Sequence, residues 1–119
     1  MPKTTDIKIV LTEGTKFDDG KIPLDLWSPY AIDETGRVLG FGAKKYEPYN
    51  WAKGIRYSRV FGALLRHLYA FWRGERNDPE TGLHHLGHAM CCLMFLLHYE
   101  MRSEQYTEFD DRPEYDGSS

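Results

Sequence analysis

Cysteine is scarce in this chain of 119 residues: two are present, Cys91 and Cys92, and they are adjacent. Neighbouring positions on a helix cannot close an unstrained bridge, which excludes a disulfide framework. Reduced thiols buried as small hydrophobes fit a cytoplasmic protein. No basic-then-apolar leader opens the sequence, and the longest apolar run, Ala89 to Leu97, is far too short to span a bilayer. A membrane partner is therefore not expected. Internal repeats are absent, and so is HExxH, which removes the usual zinc-protease assignment.

A strong overall charge is also lacking, because the net value is only -3. That mean hides a split. From Arg37 to Arg76 nine basic residues face two acidic ones, whereas from Glu100 to Ser119 seven acidic residues face two basic ones. A basic middle suits an anionic ligand such as a phosphate, or else a solvated helix face. Nucleic acid is not expected as a partner, since no recognisable reading motif accompanies the basic region.

The hydrophobic fraction of 41% supports one modest core, and the length fits one domain. Residues 1–15 read as an N-terminal arm, 16–103 as a helical domain, and 104–119 as an acidic tail of disordered composition. Within the domain, Ser28-Pro29 reads as an N-cap followed by proline at the first helical position. The helix it starts is expected to run to about Leu39 and to end near Gly40 and Gly42. GAKKYEPYNWAKG then reads as an ordered loop. A second helix is expected from a Ser58 cap to about Arg73. A third follows an Asp78-Pro79 cap, from Pro79 or Thr81 to about Met101. The fold class is all-α: a compact bundle of three to four helices with long ordered loops.

Helical periodicity sorts the side chains. On the second helix Val60, Phe61, Leu64, Leu65, Leu68, Phe71 and Trp72 share one sector. Arg59, Arg66 and Arg73 form a stripe elsewhere, and His67 lies in a narrow seam of small residues with Ala63, Ala70 and Gly74. On the third, Leu83, Leu86, Ala89, Met90, Leu93, Leu96 and Leu97 fill one side, while His84, His85 and His88 fall together on the other. Two apolar faces this wide are hard for so small a chain to cover alone, so a homo-oligomer is expected.

His84 and His88 are four apart, and His85 and His88 three apart, so either pair can reach one cation. The preceding loop adds Glu75, Asp78 and Glu80. Carboxylates suit magnesium or manganese on phosphates, and imidazoles shift the preference toward manganese, zinc or cobalt. The candidate metal set is His67, Glu75, Asp78, His85 and His88. A water-filled polar face or an oligomer contact accounts for the same spacing.

Three stretches in order, KFDDGKIPLDL, GRVLGFGAKKYEPYNW and RHLYAFWRGERNDPETGLHHLGHAMCCLMFLLHYE, resemble the phage-type dATP/dGTP diphosphohydrolase family in its N-terminal domain. The resemblance covers about residues 16 to 100 and extends distantly to the MazG-like all-α NTP pyrophosphatases. It implies metal-dependent hydrolysis of a purine deoxynucleoside triphosphate to the monophosphate and pyrophosphate. The distant relatives carry carboxylate pairs on facing helices, whereas this chain has no ExxE on its second helix and shows histidines on its third.

Under that reading the catalytic residues are Glu75, Asp78 and His88, with a carboxylate holding metal or orienting water, or a histidine acting as general base. The nucleotide would be held by Lys21, Lys44, Lys45, Tyr46, Asn50, Trp51 and Arg66. Cations meet the phosphates, Tyr46 and Trp51 stack on the purine, and Asn50 reads its edge. Tyr46 and Trp51 are equally readable as a lid over the core. The alternative function is a non-catalytic phage nucleotide-binding module or regulator.

Overall fold

The computed structural model describes residues 14–17 and 19–114. The expected arm falls almost wholly outside them, as do the last five residues. Among the described residues the architecture is an all-α bundle of three helices: α1 (Pro29–Lys45), α2 (Tyr57–Trp72) and α3 (His85–Met101), with short 3-10 turns at Leu24–Leu26, Asn50–Lys53, Ser103–Gln105 and Thr107–Phe109. The all-α reading of the sequence holds.

Helix α1 opens as expected, with Pro29 at its start and Ser28 Oγ accepting the Ala31 amide at 3.3 Å. It does not end at Leu39 but continues through Gly40 and Gly42 to Lys45. Each glycine costs about 1 kcal/mol in a helix interior, but neither takes positive φ here, so nothing local stops the chain. Lys44 and Lys45 occupy the last turn, where their charge meets the negative end of the helix dipole.

Helix α2 lacks the Ser58 cap. Its N-cap is Arg56, without a side-chain bond, and Ser58 lies inside the first turn. The missing acceptor comes from the far end of the chain: the Ser58 amide donates to Asp111 Oδ1 at 2.9 Å and its hydroxyl to Asp111 Oδ2 at 2.5 Å. Residues 104–113 thus pack back on the bundle, although composition groups them with a tail. Tyr106 is buried in the core and Phe109 packs against it. Acidic composition misleads here because Tyr106 and Phe109 anchor the segment.

Helix α3 begins at His85, later than Pro79 or Thr81. His84 is its N-cap, with Nδ1 accepting the Leu86 amide at 2.9 Å. Asp78 instead closes a turn on itself, its Oδ1 accepting the amides of Glu80 and Thr81 at 2.7 and 3.3 Å. That local bond competes with helix formation.

The core lies between α2 and α3, with Tyr57, Val60 and Leu64 meeting Ala89, Cys92 and Tyr99. Tyr99 is fully buried and donates its hydroxyl to the Trp51 carbonyl at 2.6 Å. Tyr106 does the same to Ala52 at 2.7 Å. These two phenols pin the Asn50–Lys53 turn. On the other side of α3, α1 approaches closely at Gly87, where an added Cβ would lie 2.8 Å from Glu34 Cγ.

Candidate functional site

Two histidines that sequence places on separate helices meet at the α2–α3 interface. His67 Nδ1 and His85 Nδ1 are 2.9 Å apart. His85 is almost fully buried, and its Nε2 contacts Glu75 Oε1 at 2.8 Å. With Glu75 ionised, Nε2 carries the proton and donates it, so Nδ1 of a neutral His85 is left as an acceptor. His67 Nδ1–H then donates to it.

Asp78 Oδ2 lies 3.8 Å from His67 Nδ1. One ligand atom from each of His67, Asp78 and His85 falls within 4.8 Å of the others. Two imidazoles, one carboxylate and a second carboxylate orienting a histidine form a donor set that fits a divalent cation. The nitrogens that would hold it are those now sharing a proton.

His88 stands one turn further along α3. Its ring stacks on His67 with centroids 4.5 Å apart and an interplanar angle of 7°. Its Nε2 is 2.8 Å from Thr81 Oγ1, which also accepts the Leu83 amide at 3.1 Å. The hydroxyl, already an acceptor from that amide, is free to donate its proton to His88. Burial holds both His67 and His88 below the ordinary imidazole pKa, with Asp78 partly opposing the effect. Both are neutral at pH 7 and available to a metal or a proton. For Asp78 burial raises the pKa, but amide donation from Glu80 and Thr81 with the nearby His88 and His67 outweighs it, and the carboxyl ends below its usual range.

These groups form one end of a cavity of about 630 Å³ between α1, the 46–51 segment and the α2–α3 pair. His67, Asp78, Thr81 and His88 line the polar end, while Tyr46, Tyr49, Trp51 and Phe95 line the other with Asn50. Lys45 and Glu80 face each other across the wall at 3.4 Å.

The sequence-derived residues divide accordingly. His67, Glu75, Asp78, His85 and His88 come together, with Glu75 and His85 behind the lining. Lys45, Tyr46, Asn50 and Trp51 line the cavity, whereas Lys21, Lys44 and Arg66 do not. Trp51 is held as a wall: its ring stacks on Phe95 at 5.1 Å and meets His98 edge-on at 4.9 Å. His84 leaves the expected trio, since it caps α3 and does not face the cavity.

Sequence reasoning missed Glu34 and Thr81. Glu34 Oε2 accepts the His84 amide at 2.8 Å, and that bond holds its carboxyl below the usual range against the opposing effect of burial. Only its tertiary position across from Gly87 reveals that role. Thr81 had a local signal, because Asp-Pro-Glu-Thr-Gly favours a turn that exposes the hydroxyl. Tyr49 was also missed. It adopts φ +62°, a left-handed conformation no other described non-glycine residue takes.

Residues 12–112 match the family described as dATP/dGTP diphosphohydrolase, N-terminal. The chain belongs to that family. It is similar to a dATP/dGTP diphosphohydrolase of Salmonella phage PMBT28, with 43% identity over 83 residues, or 70% of this chain. The same match spans 28% of that family member's own length. No solved structure matches the chain. Among the described residues no helix is long and apolar enough to cross a membrane.

Proposed function

We propose that this chain binds a purine deoxynucleoside triphosphate, dATP or dGTP, in the cavity and takes part in its hydrolysis to the monophosphate and pyrophosphate. The observation that carries the reading is one cavity with a His/Asp cluster at one end and an aromatic wall with an amide at the other. The name of the phage relative supports the substrate class.

In this reading His67, Asp78 and His85 would hold a divalent cation, magnesium or manganese first and zinc or cobalt next, while Glu75 orients His85. Bound there, it would supply positive charge to neutralise the phosphates and polarise the phosphorus–oxygen bonds. Asp78, its pKa lowered, keeps its carboxylate ionised beside the cluster. His88, neutral, accepts the Thr81 hydroxyl at Nε2. The proton of the attacking water reaches it through that hydroxyl, which passes its own proton to Nε2 as it takes up the water's. Lys45 exchanges its contact with Glu80 for a phosphate oxygen. Tyr46 and Tyr49 cover the base, Trp51 forms the wall behind it, and Asn50 offers a donor and an acceptor to its edge. Lys21, Lys44 and Arg66 act at most from outside the cavity. The protein works as a homo-oligomer in the host-cell cytoplasm.

The test is incubation with each dNTP and a panel of metals, with release of pyrophosphate as the readout. Pyrophosphate from purine substrates with manganese or magnesium is the expected result. Tight nucleotide binding without turnover would instead leave a binding module, and no binding would remove the reading.

A further inference from the structure

His85 is the first residue of α3, the place on a helix where the backbone frays most readily. Its ring is nonetheless almost fully buried, with His67 against one nitrogen and Glu75 against the other. A side chain that must keep a direction there needs its backbone held from outside the helix.

The amides of this turn show where the hold comes from. The first N–H groups of a helix have no partner within it, and here each finds one. His85 donates to the Arg76 carbonyl at 2.9 Å, and Leu86 to His84 Nδ1 at 2.9 Å. Gly87 and His88 donate to the His84 carbonyl at 2.9 and 3.2 Å. Three of these four amides thus rest on His84. The His84 amide in turn donates to Glu34 Oε2 at 2.8 Å, the one partner in the set that stands on another helix.

Glu34 is itself held in place. Its other oxygen, Oε1, accepts from Arg37 one turn along α1 at 2.9 Å. Its Cγ occupies the space where a Gly87 side chain would start, so α1 meets the backbone of α3 directly at this carboxylate.

We infer that Glu34 is a positioning residue for the histidine cluster: by gripping the His84 amide from α1 it fixes the first turn of α3, and with it the directions of the His85 and His88 rings. It works through the backbone. The consequence for a metal rests on the reading of His67, Asp78 and His85 as ligands. Such a set keeps its affinity only while its atoms are held to within about 0.5 Å. Loosening His84 would release one ligand, His85, and also His88, whose ring stacks on a second ligand, His67. What the contact requires is an acceptor at this reach, not a charge.

Two readouts test this: calorimetric titration of manganese alone into the full chain, and the histidine ring N–H signals of the metal-free chain. Glu34→Met, similar in length but without an acceptor, should weaken manganese binding about tenfold and shift or broaden the His85 signal. Glu34→Gln keeps an acceptor oxygen at the same reach and should restore both. Cys91→Ala removes a different hydrogen bond between the two helices, from the Cys91 thiol to the Thr35 carbonyl. It should lower the melting temperature and leave both readouts unchanged. If circular dichroism shows that Glu34→Met does not fold, Glu34→Asp takes its place. That variant keeps the charge but falls one methylene short, and it should show the same losses. Wild-type behaviour of the Met or Asp variant would overturn the inference, as would a Gln or Cys91 variant that loses as much. A wild-type chain that takes up no manganese would remove the metal reading, and the ring signals of the metal-free chain would then decide the role of Glu34 alone.

Discussion

Glu75 grips the back of His85. The carboxylate meets Nε2 at 2.8 Å, while Nδ1 of the same ring faces His67 at 2.9 Å. A buried imidazole with one nitrogen anchored has a fixed tautomer and a fixed direction, which a metal ligand needs. Glu75 itself is half exposed, so its removal leaves little empty space in the core. Glu75→Gln should weaken manganese or zinc binding by about 10–100-fold, the usual loss when such a partner is removed. Melting temperature without metal should change far less. Calorimetric titration of the metal into both proteins checks it, and equal affinities would make Glu75 a surface contact.

Acid should destabilise the fold through His67 and His88. Burial lowers both pKa values, so the folded chain resists protonation that the unfolded chain accepts near pH 6.5. Their contribution is complete above that pH and is lost as the pH falls through the lower folded values. The melting temperature should therefore drop as the pH is taken from 8 to 5.5. His67→Gln with His88→Gln should flatten that limb, whereas an acid limb unchanged in the double variant would place its origin elsewhere.

Gly54 is the joint between the Asn50–Lys53 turn and α2. Its φ is +110°, and a Cβ there would run into the Phe109 ring. Gly54→Ala combines backbone strain with displacement of a core aromatic, so the expected loss is roughly 2–4 kcal/mol. Urea unfolding measures it. A loss below 0.5 kcal/mol, the scale of an ordinary surface change, would mean that Phe109 is readily displaced.

The helices were legible because periodicity and proline placement act locally. Ser28-Pro29 marked the start of α1 correctly. Its end was misread because glycine is only a weak helix breaker where φ stays negative. The α2 cap was invisible, since Asp111 stands 53 residues from Ser58. Spacing also grouped His84, His85 and His88, because a wheel assumes that the helix has already begun. The structure starts it one residue after His84 and brings His67 in from another helix. The leucine side of α3 is apolar by periodicity, yet Leu93 and Leu97 are exposed, because periodicity reveals that a face is apolar, not which neighbour covers it. Site chemistry was legible as residue type, while the contacts of Glu34 and Thr81 needed the tertiary fold.

Lys45 and Arg66 separate the cavity from the basic stripe. Lys45 lies in the cavity wall 3.4 Å from Glu80, with Tyr46 and Glu80 together raising its pKa, so it is a fixed positive charge at the mouth. Arg66 is on α2 but does not line the cavity, and its guanidinium lies over Gly62. A phosphate oxygen entering beside Lys45 exchanges one carboxylate partner for a more highly charged one. Lys45→Ala should therefore raise the half-saturating dATP or dGTP concentration by about tenfold, the scale of one charge-assisted hydrogen bond. Glu80→Gln, which frees the lysine, should lower it or leave it unchanged. Arg66→Ala should move it by less than about twofold, as expected for an exposed charge outside the site. Equilibrium binding at two salt concentrations checks all three. A larger effect at Arg66 than at Lys45 would move the phosphates out of this cavity and onto the α2 stripe.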